Sequence, residues 1–313
     1  MRIVFMGTPE SAVPSLRRLL ADGHEIVAVW TQPDKPAGRG NKLHQSPVKE
    51  FASQHNLTIH QPFKIKTEEA KALFCSHNAD AAIVVAYGKI LPAEFLNAPQ
   101  HGCINVHFSL LPKYRGAAPV NWAIVNGEKE TGVTTMKIVE ELDAGPILLQ
   151  QATEISAHET APELLRRLAE IGAELLSETL TRLDTIHARP QRDEEATLAP
   201  ILKREDGQID WSNDAFAIER RVLGFQPWPN AYTNFRSQRL IIWQATPEWI
   251  EQLAFPPGQI IEARGDRLII ACGDRTALRV SELQAEGGRR LSARDFLNGM
   301  HLKVGELLGP AKS

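Results

Sequence analysis

The chain has 313 residues, 43% hydrophobic and 23% charged, with a formal net charge of −3. That length favours two domains over one, the composition is that of an ordinary globular protein, and no run approaches the ~20 apolar residues that cross a bilayer. The charge leaves no global footprint for nucleic acid, and the widely spaced Cys75, Cys103 and Cys272 argue against a disulfide framework or thiolate metal site and for a reducing compartment, the cytoplasm.

RIVFMG (2–7) reads as a first strand, its apolar run too short for a signal-peptide core. Gly7-Thr8-Pro9 follows where a dinucleotide-binding protein carries G-x-G-x-x-G, so the pyrophosphate fingerprint is absent and a nicotinamide cofactor is disfavoured. A helix is expected over 10–20, a strand at EIVAVW (25–30), helices near 47–55 and 67–77, and further β runs at TIHQP and AAIVVAYG (81–88). Near-continuous apolar strands alternating with helices predict a mostly parallel sheet covered on both faces, the doubly wound α/β class.

TQPDKPAGRGNKLHQSPVK (31–49) carries three Pro and two Gly and is expected to be irregular. Lys35, Arg39, Lys42 and Lys49 against Asp34 give it a local charge of 4 − 1 = +3, which suits an anionic partner or a solvated loop equally well.

GCINVHFSLLPKYRG (102–116) begins as a buried strand and breaks into a loop. Alternation puts Asn105 and His107 on one face and Ile104 and Val106 on the other. Two polar side chains at the carboxyl end of a strand, where open α/β sheets bind ligands, need partners. The SLLP loop offers backbone groups to a flat polar heterocycle, or Leu110 and Leu111 simply plug the core. Asp143, in the LDAG turn after strand TGVTTMKIV (131–139), reads either as a turn former or as a carboxylate that orients an imidazole.

A helix near 117–125, a strand after LDAG and a long amphipathic helix over 160–183 complete the first part. HARPQRDEEATLAP (187–200) has no periodicity and reads as a linker. A short helix (213–223) and the β runs AYTNF, RLIIWQA, GQIIEA, RLIIACG and ALRVSEL then predict a small antiparallel barrel.

The stretch from Gly102 through LDAGPIL, with FMGTPE, TQPDKPAGRG, VVAYGKILP and PWPNAYT, resembles the formyltransferases that use 10-formyltetrahydrofolate, along essentially the whole chain. The resemblance implies a Rossmann-like catalytic domain over 1–186, a linker over 187–205 and an OB-like, tRNA-holding domain over 206–313. It implies formyl transfer to the α-amine of initiator methionyl-tRNA, with the pterin as one-carbon carrier and no metal; an amino-sugar nucleotide is the alternative acceptor, and a catalytically silent folate- or RNA-binding protein a further reading. By resemblance Asn105, His107 and Asp143 are catalytic, Ser109, Leu110, Leu111 and Pro112 line the folate site, and Lys35, Arg39 and Lys42 reach the tRNA. Phe108 stands where many relatives have a smaller residue, and Tyr114 where Trp is common. Oligomeric state is open, with a monomer assumed.

Overall fold

The computed structural model describes residues 1–37, 42–236, 238–250, 255–300 and 302–309. The chain forms two compact units: Met1–Pro119 with Glu130–Glu154 and Leu165–Ala199, and Val120–Lys129 with Ile155–Leu164 and Pro200–Ser313. Among the described residues no helix is long and apolar enough to cross a membrane.

The chain order is β1 (Arg2–Gly7), α1 (Val13–Ala21), β2 (Glu25–Trp30), β3 (Lys35–Ala37), β4 (Lys42–His44), α2 (Pro47–Gln54), β5 (Ile59–His60), α3 (Glu68–Ser76), β6 (Ala81–Val85) and α4 (Ala93–Asn97). Next come β7 (Cys103–His107), β8 (Arg115–Gly116), α5 (Pro119–Val125), β9 (Glu130–Lys137), β10 (Ile147–Glu154), α6 (Ala161–Thr181) and β11 (Leu198–Ala199). The tail holds α7 (Ala215–Gly224), β12 (Ala231–Phe235), β13 (Gln238–Trp249), β14 (Ile260–Arg264), β15 (Arg267–Ala271), β16 (Thr276–Ala285), β17 (Leu291–Ser292) and α8 (Ala293–Met300).

The sheet of the first unit runs β10-β9-β7-β6-β1-β2-β5. β5, β2, β1, β6 and β7 are parallel, whereas β9 is antiparallel to β7 and β10 to β9. Ile3, Val4, Phe5 and Met6 are all fully buried, which is why β1 carries no alternation: both its faces are covered. Helix starts follow side-chain caps, with Ser46 Oγ accepting from Lys49 N at 3.1 Å ahead of Pro47, and Thr67 Oγ1 accepting from Ala70 N at 3.3 Å. β1 continues to β2 on one side and is flanked by β6 on the other, so the crevice at the carboxyl ends of β1, β6 and β7 is where this topology leaves room for a ligand.

Two expectations change. The loop 31–49 contains a hairpin, β3 with β4, where irregular chain was expected; Lys35 pairs with His44 and Pro36 with Leu43. Its base is braced by Lys49 Nζ on Asp34 Oδ2 at 2.6 Å and Gln61 Nε2 on Asp34 Oδ1 at 2.8 Å. Arg39 lies outside the described residues. The presumed linker is not a free connector: Arg189 and Ile147 exchange backbone hydrogen bonds of 2.8 Å, and β11 pairs with β8. Such pairing needs no side-chain periodicity, so no sequence pattern announces it.

In the second unit β12-β13-β16-β15-β14 form an antiparallel sheet with β17 beside β16. Residues 305–309 bond both edges, Gly309 to Asn234 of β12 and Leu308 N to Gly258 O at 2.8 Å beside β14, which closes the sheet into a barrel. Ile218, Val222, Ile260, Leu278, Val280 and Phe296 fill its core.

Candidate active site

β7 ends at His107. Ile104 is fully buried, and Asn105, Val106 and the buried His107 all line a cavity of about 550 Å³ inside the first unit. The loop between β9 and β10 brings Asp143 to the same cavity, together with Val139 and Leu142. Residues 86–91 after β6 also line it, with left-handed backbone at Ala86 (φ 47°) and Gly88 (φ 82°). Val84, Tyr87, Ile90, Leu91, Phe108 and Ile138 make most of the lining apolar, which suits a flat aromatic ligand with polar atoms at one end.

His107 is 6% exposed and Asp143 14%, by side chain. His107 Nε2 lies 2.9 Å from the carbonyl oxygen of Tyr114, and Nδ1 lies 3.7 Å from Asp143 Oδ2. That second distance exceeds a hydrogen bond but leaves the carboxylate facing the imidazole. Asp143 Oδ2 accepts a hydrogen bond of 2.9 Å from the Gly116 amide. Gly116 has φ 125°, and a Cβ there would come 2.5 Å from Ala199 O, so this donor requires glycine. No protein hydrogen bond to the Asn105 side chain occurs among the described residues, leaving its amide to a ligand.

Ser109, Leu110, Leu111 and Pro112, expected to line the folate site, are not among the cavity-lining residues. Their hydrogen bonds run to Lys113 and to Thr134 of β9. Ser109 Oγ donates to Lys113 O at 2.6 Å, Thr134 Oγ1 donates to Ser109 O at 2.7 Å, and Leu111 N donates to Thr134 Oγ1 at 3.1 Å. These bonds orient the chain that carries the Tyr114 carbonyl back to His107. Phe108 does line the cavity, so the departure noted there bears on pocket shape.

The walls from residues 86–91 and 138–142 were missed by residue-level reading; the available signal was that both segments follow strands at their carboxyl ends. Gln191 was missed as well. Its Nε2 donates to Asp143 O and Gly145 O, each at 2.8 Å, and its Oε1 accepts from Arg115 Nε at 2.9 Å. Burial pushes the Cys103 and Cys272 thiols up to about 12, so neither is set up as a thiolate, and Cys75 is exposed. Lys35 is exposed on β3, and Lys89 Nζ donates to Phe63 O at 2.9 Å, its pKa lowered first by burial and then by the Lys35 charge.

The sequence pattern of the family described as "Formyl transferase" matches residues 1–180, and that of "Formyl transferase, C-terminal domain" matches residues 201–301. The methionyl-tRNA formyltransferase of Caldanaerobacter subterraneus subsp. tengcongensis is 49% identical, over 98% of this chain and 100% of that protein. That of Koribacter versatilis is 49% identical over 100% of both. Among solved structures, a sugar 3N-formyl transferase, WlaRD, has a TM-score of 0.66 at 20% identity, over 90% of this chain and 97% of that one. HypX from Aquifex aeolicus in complex with tetrahydrofolic acid has a TM-score of 0.64 at 20% identity over 98% of this chain, which spans 48% of that protein. At such identities these two likenesses speak for the fold alone.

Proposed function

This chain belongs to the formyl transferase family, and we propose that Asn105, His107 and Asp143 perform its reaction, the transfer of the formyl group of 10-formyltetrahydrofolate to the α-amine of initiator methionyl-tRNA. The observation that carries the residue assignment is the convergence of these three polar groups on one mostly apolar cavity, whose lining among the described residues otherwise includes only Lys89, Glu140 and Glu141 as charged residues. The cavity fits the donor: its apolar walls suit a pterin and its aromatic stem, and its volume of about 550 Å³ is that of a cofactor site. When bound, 10-formyltetrahydrofolate supplies the formyl carbon and the nitrogen that leaves.

A carbonyl only accepts, so Tyr114 O holds a hydrogen on His107 Nε2. The neutral ring therefore presents Nδ1 as a base. The α-amine must shed a proton as its nitrogen bonds the formyl carbon, and Nδ1 takes it. Asp143 Oδ2, 3.7 Å away, stabilises the imidazolium so formed. Asn105 donates from its amide to the formyl oxygen as negative charge develops there, a type of contact that contributes about 3 kcal/mol of barrier. His107 then delivers the proton to the leaving folate nitrogen, so the enzyme ends as it began.

Residues 1–186 hold the chemistry in this reading, and residues 206–313, beyond the 187–205 connection, help hold tRNA. With Asp34 paired to Lys49, the +3 charge of the 31–49 loop falls on Lys35, Arg39 and Lys42, which suits phosphate contacts that position without reading bases. Ser109 to Pro112 are assigned to the folate site in this reading, although they are not among the residues lining the cavity. The acceptor and the unpaired cysteines support the cytoplasm as the place of action.

The test offers the chain 10-formyltetrahydrofolate with charged initiator tRNA, free methionine or an amino-sugar nucleotide. Formylation of the charged tRNA alone is expected. Faster transfer to the amino-sugar nucleotide would replace the proposed acceptor.

A further inference from the structure

Gln191 sits in a segment without periodicity, yet two hydrogen bonds tie it to the turn that carries Asp143 and a third ties it to Arg115. The orientation of its amide is forced. The carbonyls of Asp143 and Gly145 only accept and the Arg115 guanidinium only donates, so Nε2 must face the carbonyls and Oε1 the arginine. Arg115 is itself fixed: its side chain is 7% exposed, and its Nη2 donates to Asp193 Oδ1 at 2.8 Å.

The turn needs such support. Asp143 has φ 49°, a left-handed backbone that few residues with a Cβ adopt. At Gly145 a Cβ would stand 1.8 Å from Lys137 O, so the chain passes too close to β9 for any side chain. The Asp143 carboxylate stands 3.7 Å from His107 Nδ1, so a displacement of a few tenths of an ångström changes how well it faces the ring.

Holding 187–199 in place does not need Gln191. Arg189 and Ile147 exchange two backbone bonds of 2.8 Å, and Arg115 N donates to Thr197 O at 2.8 Å. The side chain is surplus to that task and is turned inward, to the carbonyls of Asp143 and Gly145.

The geometry points to Gln191, backed by Arg115, as a positioning residue that holds the Asp143 turn so that its carboxylate faces His107 Nδ1, a role that rests on the reading of Asp143 as a catalytic group.

The test uses the full chain with Gln191→Met, which keeps length and removes all three hydrogen bonds, and Gln191→Glu, which keeps a partner for Arg115 but sets oxygen against the two carbonyls. Each is made alone and on an Asp143→Asn background, with single-turnover rate, folate affinity and melting temperature measured. Both single variants are expected to lose roughly 10- to 100-fold in rate, with folate affinity kept within about twofold. On the Asp143→Asn background the same changes are expected to move the residual rate by less than about threefold, because the group they position is already gone. A Gln191→Met rate within about threefold of wild type, beside a crippled Asp143→Asn, overturns the inference and leaves the catalytic reading standing. A loss that multiplies in full on the Asp143→Asn background marks a structural latch and also overturns it, as does failure of both variants to fold. Near-normal turnover by Asp143→Asn alone removes the catalytic reading itself, and this inference with it.

Discussion

The carbonyl of Tyr114, 2.9 Å from His107 Nε2, decides which imidazole nitrogen is left for chemistry. Tyr114 holds that carbonyl in place with φ 63°, a left-handed backbone at a residue that is itself buried. In the neutral ring Nε2 carries the hydrogen, and Nδ1 faces the cavity and Asp143. Ring-nitrogen NMR of labelled protein, at a pH where His107 is neutral, is expected to show Nε2 protonated and Nδ1 bare. The opposite tautomer would remove Nδ1 as the proton acceptor.

Asp143→Asn is expected to keep the fold, because Asn Oδ1 still accepts from the Gly116 amide. The same oxygen then faces His107 Nδ1, as Asp143 Oδ2 does at 3.7 Å, but it carries no charge with which to stabilise the imidazolium. Turnover is expected to fall by roughly 10²–10⁴-fold with folate affinity nearly unchanged. Single-turnover rates beside equilibrium folate titration separate the two, and a near-normal rate would end the assignment.

Gly172 of α6 tests the packing behind the active strand. An added Cβ would lie 2.9 Å from Val106 Cγ1, 3.4 Å from Val133 Cγ1 and 3.6 Å from Phe108 Cε1. Alanine gains about 1 kcal/mol of helix propensity, but overpacking a tight core costs about 1–3 kcal/mol. The clash is with a β-branched side chain on a buried strand, which has little room to give. Gly172→Ala is therefore expected to lower the denaturant midpoint at constant m-value; a raised midpoint would show that α6 has slack there.

Asp34 predicts a pH signature for the 31–49 loop. Hydrogen bonds from Gln61 and then Lys49 hold its carboxyl below the usual 3.8. A depressed carboxyl contributes stability that is fully present above 3.8 and is lost as pH falls through the lowered folded value. The stability difference between wild type and Asp34→Asn is therefore expected to be flat near neutrality and to shrink on acidification below about pH 4. Chemical denaturation across that range reads it, and a gap that widens with acid contradicts the brace.

Arg39→Ala is expected to raise the KM for charged tRNA and to flatten its dependence on salt by about one unit of the log–log slope, as loss of one phosphate contact requires. Folate affinity should not move. Equal tRNA kinetics at every salt concentration would leave the loop without a part in tRNA binding.

What the sequence by itself determined is local. The period of a strand set Asn105 beside His107, the buried run Ile3–Met6 announced a two-sided sheet, and the pattern near 47–55 marked a helix, because each depends on neighbours within a few residues. The tail's short β runs likewise became strands β12 to β16. Tertiary structure decided the rest. Asp143 meets His107 because β9 pairs with β7 and its outgoing loop folds back over the strand end. Gln191 reaches Asp143 across 48 residues through a side-chain amide, an interaction that leaves no periodicity to read. Residues 120–129 and 155–164 group with the C-terminal unit, Asn121 Nδ2 donating to Gly224 O at 2.7 Å and His158 pairing with Glu219 at 2.7 Å, a grouping of which the sequence pattern gives no sign. Such pairings depend on sheet order and on which loops the topology folds together, and both emerge only when the whole chain has packed.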